Sequence, residues 1–192
     1  MKFDIAAIGG GPVLSGSSSG RQLFATLVAA LPDDPEKPEP IYLDFAGVAV
    51  ATGSYLREGV IEFRNFARGR KTNFYPIIAN ANSDILDEIL EVVMPRGDVI
   101  MACKLDDGGQ VLWSRYIGKL DPLQRLTYDL VKEYRETTAV QLMERHDDGK
   151  RTTAWNNRLA ALSSSGLISE EALGRTKIYR AFEGSWFDGR GL

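Results

Sequence analysis

The stretch "IYLDFAGVAVATGSYLREGV", residues 41–60, places an apolar run directly before the start of a helix. Residues 41–50 are mostly apolar, which is typical of a strand that is buried on both faces. Residues 54–69 carry apolar side chains at helical spacing, and Ser54 is a suitable N-cap for a helix over this range. A buried strand that leads into a helix is the repeating unit of a parallel sheet covered by helices.

The same alternation continues on both sides of this stretch. The predicted strands are residues 2–8, 74–81, 98–105 and 110–117, and the further predicted helices are residues 20–31 and 83–93. Ser83 or Asp84 is the expected cap of the second of these helices. In the helix over 54–69, Arg64 and Arg68 are predicted to lie off the apolar stripe. The order predicts an α/β fold with a mostly parallel sheet and helices.

The pattern changes at about residue 119, so we predict two domains, residues 1–119 and residues 120–192. The second range predicts three helices, the second of them capped by Thr138, a loop over "HDDGK" (146–150), and then two strands that turn at Gly174. Three helices followed by a hairpin is the winged helix-turn-helix plan, which is an α+β arrangement.

The third helix of this unit has two contrasting faces. Trp155, Leu159 and Leu162 recur at helical spacing and predict the buried stripe. Polar residues lie on the opposite side or on its flank, and these are Thr153, Asn156, Asn157 and Ser164. Asparagine can pair bidentately with adenine, so this face suits a helix that reads DNA.

Basic residues are concentrated in the same part of the chain. Six basic and two acidic residues lie between Lys150 and Arg180, a local net charge of +4. Arg175 and Lys177 would lie on the wing, where contacts to phosphate are usual. Arg158 is a further candidate for DNA contact, although its stem could instead pack on the apolar surface.

The phrase "NRLAALSSSGLISEEALGRTKIYRAF", residues 157–182, resembles the recognition-helix-and-wing segment of bacterial winged-helix regulators. The shared pattern is a helix with a leucine pair, then "GL[IV]", then a "GR…Y" hairpin. The resemblance implies the winged-helix fold. It also implies one of two functions, because winged helices bind DNA in some proteins and dock onto protein partners in others.

The stretch 41–60 resembles the central strand-turn-helix of STAS domains, the fold of bacterial anti-sigma-factor antagonists. Asp44, Gly47 and Val48 match that pattern. The "DSSG" position reads "TGSY", so Thr52 and Gly53 replace the aspartate and the phosphorylated serine. The run from Ser54 to Glu58 is closer to a divergent STAS-like family, whose members are often associated with histidine-kinase-type ATPases.

This resemblance implies a regulatory or docking site at the start of the helix. A phosphorylated hydroxyl at a helix N-terminus is stabilised by the free amides and the helix dipole. Ser54 is the best-placed hydroxyl for such a role and Thr52 is the second. Alternatively, Ser54 serves only as the N-cap.

The N-terminal stretch "DIAAIGGGPVLSGSSSG", residues 4–20, begins like a dinucleotide-binding motif. The third glycine of that motif is replaced by Leu14, and residues 15–20 predict a loop where the motif needs a helix. Asp33 and Asp34 lie in a proline-rich loop rather than at a strand end. We therefore expect no cofactor.

Composition excludes several further classes of function. The chain of 192 residues has a net charge of −3, one histidine (His146) and one cysteine (Cys103), so histidine-based catalysis, metal sites and disulfides have little to draw on. Neither a long apolar run nor a signal peptide is visible, which predicts a cytoplasmic protein with no membrane association.

The expected function is therefore that of a non-enzymatic bacterial regulator, in which a STAS-like docking or sensing domain is fused to a winged helix that binds DNA. The alternative is a protein-interaction adaptor whose winged helix docks onto protein. An ATPase of the histidine-kinase type is an expected partner in either case. Winged helices usually read palindromes as dimers, so a homodimer is also expected.

Overall fold

The protein is described here by a computed structural model that covers residues 1–146 and 151–182. The strands are β1 (Lys2–Asp4), β2 (Val13–Leu14), β3 (Glu39–Asp44), β4 (Val50–Ala51), β5 (Phe74–Ala79), β6 (Val99–Leu105), β7 (Val111–Gly118), β8 (Glu136–Thr137), β9 (Ile168–Leu173) and β10 (Thr176–Ala181). The helices are α1 (Ile5–Gly9), α2 (Ser17–Ala29), α3 (Gly53–Leu56), α4 (Glu62–Gly69), α5 (Ser83–Val93), α6 (Pro122–Tyr134), α7 (Ala139–Arg145) and α8 (Thr152–Ser164). A π-helical segment (Arg57–Ile61) joins α3 to α4, and a 3-10 turn (Met94–Arg96) follows α5.

The main sheet has five strands in the order β1-β3-β5-β6-β7. The first four strands are parallel and β7 pairs antiparallel to β6. The predicted α/β class with a mostly parallel sheet is confirmed. Because each parallel strand lies beside the one before it, right-handed crossovers place the connecting helices on the same face of the sheet. The opposite face needs another cover.

We call the face under the connecting helices the helix face. Ile41, Leu43 and Ile78 of the sheet belong to one buried cluster that also contains Leu27 of α2 and Phe63 of α4. Each of these side chains is fully buried. The helix 54–69 predicted from its apolar stripe is present, and it packs on the sheet through that stripe.

We call the other side the seam face, because residues 120–182, the C-terminal unit, pack against it. Tyr75, Ile77 and Met101 alternate with the helix-face residues along their strands and share a buried cluster with Trp155 and Leu159 of α8. All six residues of β5 are buried, since the strand is covered on both faces. The N-terminal and C-terminal parts of the chain therefore meet in a common apolar core.

The C-terminal unit runs in the order α6, β8, α7, α8, β9, β10, and its strands form an antiparallel sheet in the order β8-β10-β9. The three predicted helices and the hairpin are confirmed. Thr138 caps α7 as predicted, in a capping box with Gln141. Gly174 turns the hairpin with a φ of 62°. Most of the predicted loop 146–150 lies outside the described residues.

The predicted strand 2–8 is wrong beyond Asp4. The Asp4 carboxylate accepts a hydrogen bond from the amide of Ala7 (3.0 Å) and so caps the short helix α1, and Gly10 ends that helix with a φ of 84°. The predicted loop 15–20 is correct for residues 15 and 16 and wrong for the rest, because α2 already begins at Ser17. The "GGGP" stretch is thus the end of one helix rather than the start of another.

Two predicted helix caps are corrected by the structure. Thr52, rather than Ser54, occupies the N-cap position of α3. Asn82, rather than Ser83 or Asp84, caps α5, since its side chain accepts a hydrogen bond from the amide of Ile85 (2.9 Å).

Arg64 and Arg68 are buried, with only 5% and 9% of their surfaces exposed. The helical spacing predicted that both lie off the apolar stripe. Their burial is compensated by polar contacts, because Arg64 forms an ion pair with Asp98 and Arg68 donates hydrogen bonds to backbone carbonyls.

Candidate nucleic-acid interface

Helix α8 separates its apolar and polar side chains as the sequence predicted. Trp155, Leu159 and Leu162 are at most 1% exposed, and they anchor the helix on α6, α7 and the sheet. Thr153, Asn156 and Asn157 are all exposed. Because these three polar residues lie on one side of the first two turns, the helix presents hydroxyl and amide groups to the outside over a continuous row.

Arg158 differs from the other residues predicted to contact DNA. Its side chain is half-buried, and its guanidinium carbon lies 5.0 Å from the centre of the Trp155 ring. Among the described residues, its Nη1 has no hydrogen-bond partner. The arginine therefore packs along the helix over the tryptophan, while Asn156 and Asn157 extend outward.

The hairpin β9–β10 carries basic residues in two different settings. Arg175 lies at the exposed turn, and within the described ranges neither it nor Arg151 at the start of α8 forms an ion pair. Lys177 is exposed, but its Nζ lies 2.6 Å from a carboxylate oxygen of Glu170.

Arg180 lies between two carboxylates, those of Glu136 and Glu171. The local positive charge seen in the sequence is thus largely neutralised along the hairpin strands. In the described part of this region no ion pair is formed by Arg151 at the N-terminal end of α8, by Arg158, or by Arg175 at the tip of the hairpin.

The two hydroxyls at the start of α3 are adjacent. Thr52 Oγ1 lies 3.2 Å from Ser54 Oγ, and it accepts a hydrogen bond from the amide of Gly16 (3.3 Å). Both residues are half-buried. A Cβ on Gly53 would lie 3.1 Å from a carboxylate oxygen of Glu88, so a phosphate added at this helix start would meet a nearby negative charge.

Cys103 and His146 are of residue types that often act in catalysis, and both lie in structural contacts. Cys103 is buried, and its burial together with the negative charge of Asp44 raises the pKa of its thiol to about 12, so the thiol is protonated at neutral pH. His146 Nε2 lies 2.9 Å from the Tyr134 hydroxyl. In the part of the chain that the structure describes, no cluster of three or more His, Cys, Asp or Glu side chains could hold a metal ion.

No helix among the described residues combines the length and the apolarity that crossing a bilayer would need. No family model and no curated protein matches the sequence.

One polar region was not predicted from the sequence. Arg68, Lys71 and Tyr75 of the N-terminal part lie against Ser163 and Glu170 of the C-terminal unit. The signal available in the sequence was the apolar run of β5, whose length without alternation indicates a strand covered on both faces. A part of the chain that covers the second face must form an interface with the sheet, and such an interface can enclose polar groups.

Proposed function

We propose that the protein is a non-enzymatic regulator whose C-terminal unit is a winged helix that binds duplex DNA, and whose N-terminal unit is a STAS-like domain that senses or docks a partner. The observation that carries the proposal is the exposed row Thr153, Asn156 and Asn157 on a helix whose opposite stripe is buried. A row of amides on a well-anchored helix can read base edges in a major groove.

The element order of the C-terminal unit supports the same proposal. Its order is a helix, a short strand, two helices and a hairpin, and in the proposed winged helix α8 is the recognition helix and β9–β10 is the wing. Arg151 and Arg175 then lie at either end of the reading surface, where they would contact phosphates.

Because the remaining hairpin cations are paired with carboxylates, few phosphate contacts are available. With two to four such contacts, the logarithm of the binding constant should fall with the logarithm of salt concentration with a slope of about −2 to −4.

The test is binding of the purified protein to a random duplex pool at low and at physiological salt. An enriched site at physiological salt is the expected result. Asn157→Ala should relax the preference at one or two positions, while Arg175→Ala should weaken binding to all sequences about equally. Lys177→Ala should have a smaller uniform effect because Glu170 already neutralises it.

Two exposed residues outside α8 and the hairpin serve as matched controls. Gln22→Ala removes an exposed amide from α2, and Arg125→Ala removes an exposed arginine from α6. Both variants should bind like the parent protein. If Asn157→Ala and Arg175→Ala also do so, α8 is not a recognition helix.

A second candidate function is that of a protein-interaction adaptor. The edge strand β7 exposes Leu112 and Trp113 by 63% and 44%, and Arg115 stacks over the Trp113 ring at 5.4 Å. Large apolar side chains on an exposed edge strand suit docking of another chain. Absence of DNA binding even at low salt would favour this candidate, with an ATPase of the histidine-kinase type as the partner to test first.

A further inference from the structure

We propose that a cavity between the N-terminal part and the C-terminal unit binds a small oxyanion, a phosphate or carboxylate group of a free metabolite. We call it the seam cavity. It opens where the turn between α4 and β5 faces α8 and the hairpin. The proposal goes beyond DNA binding and does not depend on it.

The size of the seam cavity limits the ligand. Its volume is about 190 Å³. Since a water molecule occupies about 30 Å³ in the liquid, the cavity has room for roughly six waters. Pockets for drug-sized molecules start at about 300 Å³. The cavity therefore fits a small polar molecule, and the open side leaves space for any further part of it.

The charges around the seam cavity favour an anion. Arg68, Lys71 and Lys177 line it together with one carboxylate, that of Glu170. Glu170 is occupied by Lys177, with 2.6 Å between the charged atoms. Among the described residues, Arg68 and Lys71 thus have no carboxylate partner at the wall, and an oxyanion would be the complementary ligand.

Arg68 supplies a buried donor at this wall. Its Nη1 donates to the carbonyl oxygens of Thr72 and Phe74 (2.7 and 3.0 Å), and its Nη2 donates to that of Ser163 (3.1 Å). Its guanidinium lies 3.8 Å from the centre of the Tyr75 ring. Among the described residues, the buried Nε–H has no acceptor. The three hydrogen bonds to carbonyl oxygens fix the guanidinium in place, so that its positive charge lies at the wall of the cavity.

Lys71 has an unusual backbone conformation. Its φ is 55°, in the left-handed region that glycine and asparagine adopt more readily. Its side chain is exposed at the cavity, and in the described ranges it forms no ion pair. Lys71 follows the C-cap of α4, and the amides of Lys71 and Thr72 donate to the carbonyl oxygens of Arg68 and Ala67, so the left-handed conformation ends the helix and leaves the lysine at the cavity.

The first experiment fills the seam cavity without changing any charge. Ala160 lines the cavity, and its neighbour Ala161 is exposed on the same helix. Thermal unfolding of the wild type, Ala160→Leu and Ala161→Leu is followed against inorganic phosphate, with sodium chloride at equal ionic strength as reference. Phosphate should raise the melting temperature of the wild type and of Ala161→Leu, and it should have no such effect on Ala160→Leu.

The second experiment removes the cation without loss of stability. Lys71→Gly relieves the left-handed backbone, so its melting temperature in chloride should equal or exceed that of the wild type, while its phosphate affinity falls at least about tenfold. Lys37→Gly, in an exposed loop, removes the same charge elsewhere and should keep the phosphate effect. Glu170→Gln should bind phosphate more tightly, since the competing carboxylate is gone.

The proposal is overturned if phosphate stabilises the wild type no more than chloride does, or if Ala160→Leu and Ala161→Leu respond equally. These measurements contain no DNA, so failure of DNA binding leaves their outcome unaffected. Binding of duplex DNA by Ala160→Leu and Ala161→Leu then tests the source of the oxyanion. Equal binding by the two variants supports a free metabolite, and a loss in Ala160→Leu alone assigns the site to a DNA phosphate and overturns the free-metabolite proposal.

Discussion

The two faces of the main sheet are covered in different ways. The helix face is closed by helices from the segments that connect its own strands, and its core is a large apolar cluster. The seam face is closed by a later part of the chain, and polar groups cross it: Tyr75 accepts a hydrogen bond from the amide of Glu170 (3.0 Å), and Arg68 reaches Ser163.

The difference identifies the region of the core in which this protein accommodates polar groups. Connecting helices are placed by the sheet itself, so their apolar stripes suffice to position them. A separate unit must instead be oriented on the sheet, and directional hydrogen bonds from Arg68 and Tyr75 fix that orientation in a way that apolar contact alone does not. The seam is therefore the part of the core in which a ligand could be bound.

The largest expected effect comes from truncating one residue on each face. Phe63→Ala on the helix face and Trp155→Ala on the seam face each remove a side chain that is 0% exposed. Each should lower the free energy of unfolding by about 3–5 kcal/mol. Urea unfolding, followed by circular dichroism and by fluorescence, should give one coincident transition for both variants. Separate transitions in Trp155→Ala would show that the two units unfold independently.

A smaller loss is expected when the polar link across the seam is removed. Arg68→Met keeps the length of the side chain but leaves three carbonyl groups without their donor. The free energy of unfolding should fall by about 2–3 kcal/mol. The matched control is Arg70→Met at the C-cap of the same helix, an exposed arginine whose replacement should cost less than about 0.5 kcal/mol. Equal losses would contradict a specific role for Arg68.

The helix face can be tested at its tightest contact. A Cβ on Gly20 of α2 would lie 2.7 Å from the carbonyl oxygen of Tyr55, whereas one on Gly69 of α4 would meet nothing within 4 Å. Gly20→Ala should therefore destabilise the protein by about 1–2 kcal/mol, against the usual gain for glycine replacement in a helix. Gly69→Ala should be neutral or stabilising. Thermal unfolding of the two variants decides the comparison.

The smallest effect concerns pH and a carboxylate at the end of β3. Burial alone would raise the pKa of Asp44, but hydrogen bonds from Asn80 and the Ala46 amide, together with the charge of Lys2, outweigh burial and lower it. The resulting stability is present above the pKa of the unfolded chain and is lost as pH falls through the lower pKa of the folded state. Asp44→Asn should therefore lose less stability than the wild type between pH 6 and pH 3. An identical pH dependence would contradict this assignment.

Much of the fold follows from local patterns. The stripe of α8, the cap at Thr138 and the hairpin turn at Gly174 were predicted because each depends on residues within a few positions of one another. The first strand was predicted too long because Asp4 is a strong cap, and its hydrogen bond to Ala7 ends the strand early. When a capping residue lies inside an apolar run, the sequence pattern of a helix start is difficult to distinguish from that of a continuing strand.

The seam could not be predicted in the same way. Arg68 and Ser163 are far apart in the chain, and nothing near either residue indicates that they meet. The exposed row on α8 was predicted because it needs only helical spacing, while the pairing of Lys177 with Glu170 depends on the register of two strands. Sites that lie on one element are visible in the sequence, and sites between elements are not.

The order of the strands along the chain also determines which face of the sheet is covered first during synthesis. The sheet is complete once β7 has been made, but its seam face stays open until residues 120–182 follow. At roughly 5–20 residues per second, that interval lasts about 3–13 s. During this time the seam-face side chains of β5 and β6 have no cover from the C-terminal unit, so slower synthesis of residues 120–182 prolongs the exposure of an apolar surface.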